Sequence, residues 1–179
     1  MASRTAHEFA IRRCTVADAK VLAELAARLF RESYGHTHPE PELSRYLARA
    51  FSVDKVRDEI GDDGVTMFIA EEGSSRPIGY AFLRRTSQLP DGVTNRNSFE
   101  IVRFYVETSA QGRGVGAALM EQCFAESRHR EADMIWVQTW TEAPWAIGFY
   151  QRMGFTTVGS AEFYFGDRID ADQIMSRDL

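Results

Sequence analysis

The chain has 179 residues, 44% hydrophobic and 26% charged, with a net charge of −5 from 21 basic and 26 acidic side chains. That length suits a single domain with a sizeable core, and the balance excludes a disordered chain; a nucleic-acid binder would need concentrated Lys and Arg. No apolar run approaches the roughly 20 residues of a membrane helix, and residues 1–8 lack the apolar core of a signal peptide. Two cysteines make no disulfide framework, so one cytoplasmic domain over 1–179 is expected.

Phe9 to Arg12 reads as a first strand. Val21, Leu22, Leu25 and Leu29 then recur at the three-and-four spacing of an amphipathic helix over Val16 to Phe30, with Thr15 and Asp18 suited to its start. Gly35, Pro39 and Pro41 place a loop over Ser33 to Pro41, followed by helices over Glu42 to Ala50 and Val53 to Ile60. Thr66 to Glu71 and Ile78 to Arg85 flank a Gly-Ser-Ser-Arg-Pro turn and read as an antiparallel hairpin. Gln88 to Asn97 is a loop, and Ser98 to Val106 a third strand of the meander. Leu119, Met120, Cys123 and Phe124 form the buried stripe of the next helix. The all-apolar run Met134 to Val137 predicts a strand covered on both faces, and the helix before it implies parallel pairing with the strand ending at Val106.

Between that strand and the stripe helix lies Gln111-Gly112-Arg113-Gly114-Val115-Gly116. Glycines admit close approach of an anion, the free N–H groups of a first helical turn supply donors, and Arg113 adds a cation. An ordinary strand-to-helix turn has the same look, so the run alone decides nothing. Its weight comes from a second segment downstream, Ala146-Ile147-Gly148-Phe149-Tyr150-Gln151-Arg152-Met153-Gly154-Phe155. The pair, strand, Gln-Gly-x-Gly-x-Gly, helix, then strand, helix, Phe-Tyr-x-x-x-Gly-Phe, resembles the GCN5-related N-acetyltransferase (GNAT) superfamily over about Phe9 to Phe165.

The resemblance implies the acyl-CoA N-acyltransferase fold: an α/β domain whose mixed, mainly antiparallel sheet contains one parallel pair splayed into a wedge, flanked by helices. It implies acetyl-CoA as co-substrate, held by the main chain of Phe104 and Val106, with its pyrophosphate on the N–H groups of Gln111, Gly112, Arg113, Gly114, Val115 and Gly116 and a phosphate near Arg152. As side chains, Phe104 and Val106 also suit plain sheet core, and Arg152 also suits a solvated helix charge. Tyr150 takes the place of the tyrosine that gives a proton or hydrogen bond to the departing thiolate, a role suited to a phenol with pKa about 10. Glu100 matches the place of a basic glutamate; otherwise it is a strand glutamate facing solvent or pairing with Arg103. The asparagine that many relatives carry seven residues before the tyrosine is Ala143 here.

The remaining features carry less. His36-x-His38 is read as plain loop, and no metal is expected. Trp136 belongs to strand core, while Trp140 or Trp145 could meet the acceptor. The phosphate loop of NTPases and the ribose acid of a Rossmann fold are absent. Phe30 to His36, Ala50-Phe51-Ser52 and the tail Phe163-Tyr164-Phe165-Gly166-Asp167 with Asp172-Gln173-Ile174-Met175 resemble the PaiA-like spermine/spermidine acetyltransferases. That resemblance implies a polyamine acceptor, lined by Glu32 and Tyr34. Acidic net charge agrees with a cationic acceptor. A protein N-terminal or lysine amine, or a CoA-binding module without catalysis, are the alternatives. Expected partners are acetyl-CoA and a small amine or peptide amine, with a homodimer admitted and neither nucleic acid nor membrane involved.

Overall fold

A computed structural model describes residues 9–86, 88–93, 97–165 and 168–179. Part of the expected Gln88 to Asn97 loop, Gly166 and Asp167 of the quoted tail, and residues 1–8 therefore lie outside the described residues.

The strands are β1 (Phe9–Arg13), β2 (Val65–Glu72), β3 (Arg76–Arg85), β4 (Ser98–Val106), β5 (Met134–Trp140), β6 (Thr156–Phe165) and β7 (Arg168–Asp178). They form one sheet in the order β1-β2-β3-β4-β5-β7-β6, antiparallel throughout except for the β4–β5 pair. The helices are α1 (Ala19–Tyr34), α2 (Glu42–Ala50), α3 (Val53–Gly61), α4 (Val115–His129) and α5 (Pro144–Arg152). Two core layers separate by the period of two along each strand. Met67, Ile69, Tyr80 and Phe82 face the layer made with α1, α2 and α3, whereas Phe68, Ala70, Ala81 and Leu83 face the layer made with α4 and α5.

The mixed sheet, its single parallel pair and the hairpin follow the sequence expectation. Asp18 also does what its position suggested: it accepts the Thr15 N–H at 2.7 Å and pairs with Arg12 at 2.8 Å, tying the start of α1 to β1. Two departures matter for the site. Helix α1 continues to Tyr34, through the start of the segment read as a loop, because Phe30 and Tyr34 pack their rings 4.9 Å apart within the core. The strands β6 and β7 had no periodic apolar signal, since β6 is mostly exposed and β7 turns Asp170 and Asp172 inward.

Candidate active site

Pairing between β4 and β5 runs from Ser98–Met134 to Ile101–Val137 and stops there, although β4 continues to Val106 and β5 to Trp140. A bulge explains the parting: Phe82 of β3 pairs with Arg103 and Leu83 with Ile101, so Val102 is the extra residue that bends β4 where its partnership with β5 ends. Glu107 donates its N–H to the Ile78 carbonyl at 2.8 Å. Because antiparallel ladders alternate bonded and free positions, Val106 and Phe104, opposite Gly79 and Ala81, turn their N–H and C=O groups into the wedge. The Val106 carbonyl is met by the Gln111 side-chain amide at 3.1 Å. The side chains of Phe104 and Val106 pack into the α4–α5 layer, so the plain reading of them as core holds together with the main-chain one.

The glycine run closes the same end. Gly112 and Gly114 have φ of 72° and 88°, the left-handed region that glycine enters without strain, and α4 begins at Val115. The first backbone bond of α4 is from the Ala118 N–H to the Gly114 carbonyl, at 3.0 Å, so Val115, Gly116 and Ala117 keep N–H groups with no partner inside the helix. At Gly116 a Cβ would stand 3.2 Å from the Phe149 ring; glycine lets α4 abut α5. These features fit a pyrophosphate and a pantetheine arm. Arg113 differs from the expectation in its side chain, which reaches Glu72 at 2.5 Å and does not line the cleft. Arg152 sits exposed on the cleft rim.

Tyr150 lies on α5, which starts with Pro144 at its first position and Ala143 as its fully buried cap. Its ring is surrounded by Phe149, Phe155 and Phe104 at 5.5, 5.5 and 6.4 Å, and the residue is 6% exposed yet lines the cleft. Its hydroxyl makes no hydrogen bond to the described residues. Burial raises its pKa far above the usual 10.0, with nearby Tyr34 adding to the shift, so the group is a neutral phenol at every physiological pH.

The cleft has a volume of ≈ 680 Å³, within the range of small-molecule sites. It runs from the glycine loop past Tyr150 to the face covered by α1 and α2. Glu100 lines it, but its carboxylate is held by Arg84 across the β3–β4 ladder at 2.6 Å, and not by Arg103. Arg103 instead pairs with Glu59 at 2.8 Å and lies over the Phe51 ring. Tyr34 lines the far end, where its ring meets Trp140 at 6.2 Å and Tyr105 at 6.4 Å. Glu32 does not line it: its carboxylate accepts the Thr108 backbone N–H at 3.2 Å. Both Trp140 and Trp145 reach the cleft, whereas Trp136 is buried in the sheet as expected.

The sequence reading gave no site role to His38, Asp170 and Asp172. His38, taken as plain loop, is buried and lines the cleft; Asp170 and Asp172 line it from β7. The available signal was the strand pattern Ile-Asp-Ala-Asp-Gln-Ile, in which acids occupy the inward positions that a structural strand fills with apolar residues. Among the described residues no group of His, Cys, Asp and Glu could hold a metal, and no helix is long and apolar enough to cross a membrane.

Comparison with known proteins converges on the same assignment. The profile of the acetyltransferase (GNAT) family matches residues 23–155. An uncharacterised N-acetyltransferase of Lactobacillus delbrueckii subsp. lactis is 27% identical over 157 residues, covering 87% of this chain and 88% of the other. An uncharacterised N-acetyltransferase of Mycobacterium tuberculosis is 25% identical, covering 90% of this chain and 98% of the other. The crystal structure of PaiA N-acetyltransferase from Thermoplasma acidophilum in complex with coenzyme A superposes with a TM-score of 0.79 at 18% identity, over 96% of this chain and 99% of that one. With the splayed strands and glycine loop in place, the chain belongs to the acetyltransferase (GNAT) family and is an N-acetyltransferase whose co-substrate is acetyl-CoA.

Proposed function

We propose that the protein transfers the acetyl group directly to a primary amine of a linear polyamine, in one domain spanning the whole chain. The observation that carries this reading is the wedge itself: a buried neutral phenol beside a free strand edge, facing a wall of aromatic rings and carboxylates. The resemblance of Phe30 to His36 and of the C-terminal tail to PaiA-like spermine/spermidine acetyltransferases supports the acceptor class, and the structural likeness to PaiA N-acetyltransferase agrees with it in fold.

Bound acetyl-CoA supplies an activated thioester carbonyl. The N–H groups of Gly112 to Gly116 hold its pyrophosphate, while that of Gln111, expected among them, is given to the Thr108 carbonyl at 3.2 Å; Arg152 on the rim meets a phosphate, and the main chain of Phe104 and Val106 fixes the arm. Tyr150 keeps a proton at Oη for the sulfur that leaves, inside an aromatic cage that excludes water. Direct transfer agrees with the state of the thiols. Cys14 and Cys123 are both buried, and burial pushes the Cys14 thiol up to about 12 and Cys123 higher still, so neither offers a thiolate to carry the acetyl group. The acceptor must lose a proton first: an alkylammonium with pKa about 10.4 is rarely neutral at pH 7, a cost of roughly 4–5 kcal/mol. Glu100, on the cleft wall, takes that proton through a water.

A screen of amines with acetyl-CoA, followed by free thiol release, tests the reading. Spermidine, spermine and short diamines are the expected acceptors. Turnover of peptides with free N-termini or lysines, without polyamine turnover, would replace the acceptor class; tight CoA binding without turnover on any amine would favour a non-catalytic module.

A further inference from the structure

We propose that Asp172, with Asp170 beside it and His38 against Asp170, is a binding site for the second ammonium group of a linear di- or polyamine whose first nitrogen lies at the wedge. This rests on the amine-acetylation reading above and adds where specificity for a two-headed cation resides.

The carboxylates around the cleft differ in whether a cation already neutralises them. Glu100 is paired with Arg84 and Asp170 with Arg168, each at 2.6 Å. Asp172 has no cationic partner among the described residues. It is 7% exposed, lines the cleft, and accepts one hydrogen bond, from the neutral Gln138 amide at 2.9 Å. A buried carboxylate without a counter-charge is costly, and a cation arriving from the cleft would relieve that cost.

His38 is the independent second sign. It is 7% exposed, and its Nδ1 lies 3.0 Å from the Tyr34 carbonyl and 2.8 Å from the Thr37 hydroxyl; because that hydroxyl gives its own proton to the Tyr34 carbonyl at 2.9 Å, both neighbours are acceptors and Nδ1 carries the ring proton in the neutral form. Nε2 is then a lone-pair acceptor. It is buried with no hydrogen bond and stands 3.8 Å from Asp170 Oδ2. Apart from the Gln138 amide already given to Asp172, these groups present two carboxylates and an imidazole lone pair. An ammonium group, with three N–H donors and no acceptor, is the complement of that set.

The path to the wedge is apolar. Trp140 is opposite Asp172 in the β5–β7 register, and the Tyr34 ring is its neighbour, a surface suited to methylene groups. A lone primary amine would fill the wedge and leave Asp172 uncompensated.

Calorimetry of spermidine binding to the protein with CoA present, where no turnover occurs, separates this site from the reaction. The wild type binds spermidine; Asp172→Asn, close in shape and without the charge, weakens it roughly 10- to 100-fold, the loss expected of a charge-assisted contact, and Asp172→Glu recovers part of it. Hexylamine, with one ammonium, binds wild type and Asp172→Asn alike. With acetyl-CoA, Asp172→Asn raises KM for spermidine by a similar factor and leaves kcat within about threefold. If spermidine is acetylated but Asp172→Asn leaves its Kd and KM unchanged, the subsite is overturned and the acetylation reading survives. If binding depends on Asp172 but no spermidine is acetylated, the subsite stands and the polyamine acetylation reading falls. If the wild type neither binds nor acetylates spermidine, both fall.

Discussion

Replacing Tyr150 by Phe removes one oxygen atom from the wall of the wedge, and the structure says what that should and should not change. The hydroxyl makes no hydrogen bond to the described residues, so the folded protein loses none. The ring keeps its contacts with Phe104, Phe149 and Phe155. Thermal stability should therefore stay within the range of about ±0.5 kcal/mol typical of substitutions that remove no structural feature. Turnover should fall by about 10²–10⁴, the range for a positioned acid, equal to about 2.7–5.4 kcal/mol of transition-state stabilisation. The assay is single-turnover acetyl transfer with saturating acceptor, so that chemistry and not product release is read, together with calorimetric CoA binding, which should be unchanged. Because burial raises this phenol far above 10.0, no falling limb from Tyr150 should appear in the wild-type pH profile below pH 10. An unchanged single-turnover rate would refute the proton-donor role, and a loss of several degrees in Tm would reassign the hydroxyl to structure.

Gly114→Asp places a carboxylate at the start of α4, among the N–H groups assigned to the pyrophosphate; the left-handed φ of 88° strains a side chain by about 1–3 kcal/mol, so Tm should fall somewhat while CoA affinity drops in the protein that stays folded, and undiminished binding in calorimetry would remove the phosphates from this loop. Glu100→Gln should lower kcat/KM by about 10²-fold or more near pH 7, with the deficit shrinking as pH approaches the pKa of the free amine; a pH-independent loss would make the Arg84 pair structural and Glu100 no base. For Asp172, burial first and Asp170 second raise the carboxyl above its ordinary value, against the opposing Gln138 hydrogen bond. A group whose folded pKa is raised adds stability below its unfolded pKa and loses it as pH rises through the folded one. Asp172→Asn should thus melt higher than the wild type at pH 7 without acceptor, and the gain should disappear below about pH 4; a lower Tm at pH 7 would show that the carboxylate is already compensated.

The family and the co-substrate end of the cleft were legible in the chain because that end is local. A strand, a glycine run and a helix start are contiguous in sequence, and their order fixes where free N–H groups gather. The single tyrosine in Phe149-Tyr150-x-x-x-Gly154-Phe155 sits on the same α5 stripe that carries it into the cleft. Apolar periodicity likewise set β4, β5 and the layer of α4, since the burial that selects those residues is the burial observed. Guanidinium groups were not legible: Arg113, read as a phosphate cation, is turned to Glu72, a residue 41 positions away. Glu32 failed for a related reason, being spent on the Thr108 N–H at the start of the loop before Gln111. The acceptor end belongs to tertiary structure altogether. It forms where β7, the last strand, inserts between β5 and β6 and lays Asp170 against His38 from the α1–α2 connection, with Asp172 lining the same cleft. Apolar alternation does not announce this end, because acids stand at the inward strand positions; the Ile-Asp-Ala-Asp-Gln-Ile pattern marks those acids, but only the fold decides which groups they meet.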